Sequence, residues 1–105
     1  MTGPDDLAVV CEAEGEGFRC HVSVGDDPGA THHEVRLTHA DLRRFAPGSA
    51  DPVALVTASF HYLLEREPRE SILRAFDLPL IERYFPSYPG DVVDRLRAPS
   101  FDAGR

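Results

Sequence analysis

The sequence predicts an α+β domain in which three to five short helices pack on one face of a three-stranded antiparallel sheet. Two patterns predict it. Apolar and polar side chains alternate through residues 7–24 in the manner of a β-hairpin, and apolar side chains recur at helical spacing through residues 51–97. The 105 residues are the size of one domain, and we expect it to span 1–105 with frayed ends at 1–6 and 98–105.

The first two strands form a hairpin whose turn fixes its register. Residues 14–17 separate two alternating runs, so we centre the turn between Gly15 and Glu16. A shift of one residue would move every apolar side chain to the solvent face. The predicted pairs are Val9 with Val22, Cys11 with Cys20, Ala13 with Phe18 and, as a solvent-side ion pair, Glu12 with Arg19.

A third strand and a short helix follow the loop of residues 25–30. The strand is predicted from the inward alternation of His33, Val35 and Leu37. Thr38 and Asp41 resemble a capping box, which indicates that a helix begins there. This helix is expected to place Leu42 and Phe45 inward and to end before residues 47–48, Pro-Gly.

The second half of the chain reads as helical. Asp51 is the predicted N-cap, with Pro52 at the first helical position, and Pro68 ends this helix. Further helices are expected over residues 69–76, with an ion pair between Glu70 and Arg74, over 79–85, and after a cap at Asp91. The apolar stripe of the first helix, expected to cover the sheet, consists of Val53, Val56, Phe60, Leu63 and Leu64.

One stretch of this helical half carries a resemblance. Residues 59–68 read Ser-Phe-His-Tyr-Leu-Leu-Glu-Arg-Glu-Pro, residues 71–73 read Ser-Ile-Leu, and residues 84–86 read Tyr-Phe-Pro. This pattern over residues 59–86 resembles a family of short uncharacterised bacterial proteins. The resemblance implies a bacterial domain and brings no reaction, ligand or catalytic residue with it.

Composition excludes several classes of function. The chain has no lysine, so a P-loop lysine, a Schiff-base lysine and a kinase-type Lys–Glu pair are excluded. The net charge of -7 disfavours binding to nucleic acid, and the arginines are interspersed with acids. There is neither an apolar run long enough to cross a membrane nor a targeting segment at residues 1–6, so we expect a cytoplasmic protein.

The cysteines and histidines are the candidates for covalent or metal chemistry. The register sets Cys11 opposite Cys20, where either a cross-strand disulfide or two buried reduced thiols would fit, and a cytosolic protein favours the thiols. His21, His32 and His33, with His39 nearby, are candidate zinc ligands. Cys11 and Cys20 are too far apart in sequence for a typical zinc ligand pair, and His21 and His32 point outward whereas the thiols point inward, so we expect no cofactor.

The remaining candidates are a catalytic set and a surface patch. Ser59 and His61 point about 200° apart on a helix and cannot form a triad with Glu65. The charges around Pro68 and the late aromatic residues indicate either a recognition patch or internal packing, including an Arg66 that reaches helix carbonyls or Glu70. The candidate patch consists of Glu65, Arg66, Glu67, Arg69, Tyr84, Phe85 and Tyr88.

These observations favour a non-catalytic protein-interaction or accessory module that binds a protein partner or forms a homodimer. The alternative is a small metal-binding or hydrolytic enzyme that uses the histidines of the sheet half. Neither nucleic acid nor a membrane is an expected partner.

Overall fold

The computed structural model describes residues 7–25, 29–48 and 51–97, and the two predicted frayed ends lie outside these ranges. The α+β class is confirmed. In chain order the elements are β1 (Leu7–Glu14), β2 (Gly17–Val24), β3 (Thr31–Thr38), α1 (His39–Phe45), α2 (Pro52–Leu64), a 3-10 turn (Arg69–Ser71), β4 (Ala75–Asp77), α3 (Leu80–Tyr84) and α4 (Tyr88–Arg97).

The hairpin has the predicted register. Cys11 pairs with Cys20, and the pairs Val9–Val22, Glu12–Arg19 and Ala13–Phe18 are also present. Gly15 adopts a φ of 59°, which favours glycine at this turn. A side chain on Gly17 would collide with the Leu37 carbonyl group of β3, so glycine allows the two strands to pair closely.

Arg19 and Glu12, the predicted ion pair on the solvent side of the hairpin, each contact other residues. The guanidinium of Arg19 contacts Glu14 and lies 3.8 Å from Glu34 of β3. Glu12 lies 3.5 Å from the Nε2 atom of His21. Arg19 therefore reaches along and across the sheet, because its side chain is long enough to pass its direct neighbour.

The described residues form a sheet of four strands, in the order β1-β2-β3-β4, where the sequence predicted three. The predicted helix over residues 69–76 is wrong. After the 3-10 turn, β4 runs parallel to β3, with Glu34 N donating to Arg74 O at 2.7 Å and Leu78 N donating to Arg36 O at 2.8 Å. Glu70 pairs with Arg69, in place of the predicted partner Arg74.

Helices α1 and α2 begin at the predicted caps. Thr38 and Asp41 form the capping box, and the Asp51 carboxylate accepts hydrogen bonds from the backbone of Val53 and Ala54. The predicted stripe of α2 is incomplete, because this helix packs on β1 and β2 on one side and on α4 on another. Its buried residues are Leu55, Val56, Ser59, Phe60, Tyr62 and Leu63.

Two details of the helices differ from the prediction. Val53 is 37% exposed and Leu64 is half-buried, so both ends of the predicted stripe lie at the margin of the core. Helix α4 begins at Tyr88, and Asp91 lies inside it, with its N–H donating to Ser87 O at 3.1 Å. Asp91 is therefore not the N-cap.

Phe60 is a point of contact between α2 and the sheet. It is 0% exposed, and its ring centroid lies 5.4 Å from that of His33 and 6.2 Å from that of Phe76. His33 belongs to β3 and Phe76 to β4, so one helical side chain packs against two neighbouring strands. This confirms the predicted burial of Phe60 under the sheet.

Candidate functional site

An open apolar groove of about 240 Å³ lies beside the C-terminal end of α2. Some of the lining side chains are buried and form a floor, and others are exposed and form a rim. At the rim, Leu73 is 49% exposed and Tyr84 is 66% exposed. The lining residues are Leu63, Glu67, Ser71, Ile72, Leu73, Phe76, Leu80, Ile81, Tyr84 and Phe85.

Short elements create this groove. Pro68 precedes the 3-10 turn, Pro79 lies between β4 and α3, and Pro86 stops α3 from extending past residue 85. The groove therefore lies among short elements that prolines border.

Glu67 is the charged residue of the groove. Its side chain is half-buried, and its backbone N–H donates to Leu63 O at 2.8 Å. Among the described residues no basic side chain forms an ion pair with it, because the neighbouring Arg66 and Arg69 have other partners. Arg66 donates to Tyr62 O at 3.0 Å, and Arg69 donates to Val24 O at 3.1 Å.

The predicted patch is not one surface. Glu67, Tyr84 and Phe85 line the groove. Glu65 and Arg66 contact α4, and Arg69 extends to the end of β2. Tyr88 is fully buried and is corrected from a surface residue to a core residue.

A charged network joins the end of α2 to α4. The Arg66 guanidinium lies 3.6 Å from the centroid of the Tyr62 ring and 3.8 Å from the Asp91 carboxylate. Arg95 forms an ion pair with Glu65, and this hydrogen bond lowers the pKa of the Glu65 carboxyl group. Arg66 thus reaches a helix carbonyl, the first of its two predicted alternatives, and its acidic contacts are Asp91 and Glu65.

Ser59 and Tyr88 form a buried hydroxyl pair. Ser59 Oγ donates to Leu55 O at 2.8 Å and accepts from Tyr88 Oη at 2.7 Å. Burial raises the pKa of Tyr88 well above its ordinary value, so this hydroxyl stays protonated. The Ser59 hydroxyl is occupied within the core, and it has no contact with His61 among the described hydrogen bonds.

The structure separates the three candidate zinc ligands. His33 points inward and is 4% exposed, and both its ring nitrogens are hydrogen-bonded, Nδ1 to Leu73 O at 2.8 Å and Nε2 to Thr31 Oγ1 at 3.0 Å. Burial lowers its pKa. His21 and His32 lie on the opposite face of the sheet. Within residues 7–25, 29–48 and 51–97, no three acidic, histidine or cysteine side chains are arranged to hold a metal ion.

One serine–histidine contact was not predicted. Ser23 Oγ lies 3.2 Å from the Nδ1 atom of His32 on the exposed face of the sheet. The register between β2 and β3 sets Ser23 directly opposite His32, and no register for that pair of strands is predicted from the sequence. A catalytic base also needs a group that orients its other nitrogen, and no described carboxylate is bonded to His32.

Cys11 and Cys20 form a disulfide, which corrects the expectation of two reduced thiols. The register placed both side chains on the same face, and the Cα atoms are 4.0 Å apart. The preference for thiols rested on the expected cytoplasmic location, which is independent of the geometry.

The sequence pattern does not predict the groove. A helix over residues 69–76 would have turned Ile72, Leu73 and Phe76 into one inward stripe. In the structure Ile72 and Phe76 are buried, whereas Leu73 reaches solvent. The sequence carries no local signal for the groove, because the interval between Pro68 and Pro79 is long enough for the predicted helix over 69–76.

Comparison with protein-family models, with curated proteins and with solved structures gives no match. The resemblance over residues 59–86 therefore stays a prediction. No helix within the described ranges is both long and apolar enough to span a lipid bilayer.

Proposed function

We propose that this protein is a small bacterial interaction module without catalytic activity, which binds a segment of a partner protein in the groove beside α2. The observation that carries the proposal is the accessible apolar rim formed by Leu73 and Tyr84 above a buried apolar floor. Exposed apolar surface arranged as a groove is typical of peptide-binding sites.

The chemistry of the groove defines the partner. Its apolar lining fits a large aliphatic or aromatic side chain. The half-buried Glu67 carboxylate, which has no described cationic partner, favours an arginine or lysine next to that side chain. We therefore propose that the partner segment carries one large apolar residue beside a basic residue.

Selection from a random-peptide display library tests this proposal with the intact chain as bait. We expect the selected peptides to share a large apolar residue next to arginine or lysine. Leu73→Asp should abolish their binding, because it places a charge at the apolar rim. Glu67→Gln should weaken binding by about tenfold, the effect of one partly desolvated charged contact.

Val53→Asp is the matched control. Val53 is another partly exposed apolar residue, and an acid near the start of α2 is compatible with the helix dipole. It should leave peptide binding unchanged. Peptides without the shared pattern, or equal binding by the Leu73→Asp protein, would refute the proposal.

The cytoplasmic location is part of the proposal and has its own test. Disulfides persist in oxidising compartments and are rare in the cytosol. Thiol alkylation of freshly lysed cells, without reductant, reports whether Cys11 and Cys20 are joined in the cell. Alkylation of both thiols supports the cytoplasm, and protection of both contradicts it.

The second candidate is a small hydrolytic or metal-binding enzyme, and the Ser23–His32 hydrogen bond favours it. Hydrolysis of an activated ester at a rate that Ser23→Ala abolishes would support this candidate. Equal rates for the wild-type and variant proteins, together with no stoichiometric zinc after metal-free purification, would reject it.

A further inference from the structure

Strand β1 is an edge strand with an open side. It pairs with β2 on one side, and no described strand or hydrogen bond occupies the other. Its 8 residues include no proline, which commonly protects sheet edges, and both of its charged residues, Glu12 and Glu14, lie in its second half. The opposite edge strand, β4, has only 3 residues. β1 is therefore the edge able to accept another strand.

The spacing of the hairpin identifies the backbone groups on the open side. The Cα atoms of Cys11 and Cys20 are 4.0 Å apart, the close spacing of a pair without mutual backbone hydrogen bonds. The N–H and C=O groups of Cys11 therefore point away from β2. Because this direction alternates along a strand, those of Leu7, Val9 and Ala13 also point outward.

The hydrogen bonds between β3 and β4 lead independently to the same direction for the backbone groups of β1. Glu34 N and Arg36 O bond toward β4, so the backbone groups of Val35 point to β2. Val35 pairs with Cys20, whose own groups therefore point to β3 and away from Cys11. The open side of β1 thus carries the backbone groups of its odd-numbered residues.

The side chains of β1 are also incompletely covered. Leu7, Val9 and Cys11 face the core but are only half-buried, although helix α2 packs over this strand. On the other face Val10 is 66% exposed. Another strand on this edge would cover both sets of apolar side chains.

We propose that β1 pairs antiparallel with β1 of a second copy of this chain, about a twofold axis at Val10. This surface is separate from the groove and goes beyond the proposed function. The pairs across the axis are Val10 with Val10, Val9 with Cys11, Leu7 with Ala13 and Ala8 with Glu12. The backbone groups of the odd-numbered residues bond to one another, and the two Val10 side chains meet at a closely spaced pair.

The sequence of β1 favours a second copy as the partner. With the axis at Val10, apolar residues face apolar residues and each Glu12 faces an alanine. An axis at Cys11 would bring the two Glu12 side chains into diagonal contact, where like charges repel. An axis at Val9 would pair only residues 7–11 of the described strand. The strand is thus complementary to itself in one register.

The mass of the full chain in solution is the first test. Light scattering after size exclusion, over a range of concentrations, should give twice the 11.6 kDa of one chain. Val10→Glu should weaken self-association by about tenfold or more, because it places two like charges directly opposite each other. Val53→Glu, the same change at a partly exposed valine of α2, should leave the dimer intact.

Amide hydrogen exchange identifies the surface. In the dimer the amides of Val9, Cys11 and Ala13 should exchange slowly, and dilution or Val10→Glu should make them exchange fast. Circular dichroism of the Val10→Glu protein confirms that the monomer is folded. A wild-type monomer at all concentrations would overturn the proposal, and so would a dimer that Val10→Glu leaves intact with fast-exchanging edge amides. Loss of the dimer in Leu73→Asp and not in Val10→Glu would assign it to the groove instead.

Discussion

Replacement of Phe60 by alanine should destabilise the protein strongly. Phe60 of α2 is 0% exposed and packs against two strands of the sheet. Truncation of a buried phenylalanine costs about 3–5 kcal/mol, and the cost is high where neighbours cannot close the cavity. His33 is held by hydrogen bonds to Leu73 and Thr31, so it cannot move into the space without breaking them.

We therefore expect the upper part of that range, about 4–5 kcal/mol, and a melting temperature lower by roughly 15–35 °C. Urea unfolding followed by circular dichroism, with the disulfide intact, measures the loss. Val53→Ala serves as the control, because Val53 is partly exposed and should cost little. A loss below about 1.5 kcal/mol for Phe60→Ala would show that the sheet and α2 do not meet at this ring.

Three further predictions follow from buried groups. Burial lowers the pKa of His33 below its usual 6.5, so the unfolded chain takes up a proton first and stability should fall as the pH drops below 6.5. His33→Asn should flatten this dependence in urea titrations at several pH values, and an unchanged slope would contradict the cause. Reduction of the Cys11–Cys20 disulfide, which closes a loop with a sequence separation of 9, should cost about 2.5 kcal/mol, and equal urea midpoints with and without reductant would contradict this. Ser59→Ala and Tyr88→Phe should each cost about 1–3 kcal/mol, and the double variant should cost less than their sum, whereas additive losses would show that the two hydroxyls act independently.

The first half of the fold was predictable because its information is local. The turn at Gly15 and Glu16 and the alternation on both sides of it determine the β1–β2 register without knowledge of any distant residue. The caps at Thr38 and Asp51 are local as well, since each side chain bonds to backbone groups within three residues. Structure that is determined by residues close together in the sequence can therefore be predicted from the sequence alone.

Strand β4 was missed because its conformation depends on a distant partner. Ile72, Leu73 and Phe76 have helical spacing, and three residues are too few to show strand alternation. The backbone of β3 supplies the missing interaction, through bonds from Glu34 to Arg74 and from Leu78 to Arg36. Because Phe76 of this strand lines the groove, the groove could not be predicted without the strand.

The apolar pattern of one helix could not predict the burial of Tyr62 and Tyr88. Tyr62 lies outside the predicted stripe, but α4 covers that side of α2, and the two tyrosine rings are 5.4 Å apart. A stripe derived from one helix describes one packing partner only. Residues that face a second partner look like surface residues in the sequence.

The position of β4 has a consequence for the order of assembly. The hydrogen bond between His33 and Leu73 O joins residues 40 apart, whereas the first three strands follow one another through short turns. Closing the longer loop costs more chain entropy, so we expect the three-stranded meander to form first and β4 to join late. The groove is then completed in the last step and opens first when the protein unfolds locally. A peptide seated in it would hold the late-forming segment in place and slow that opening.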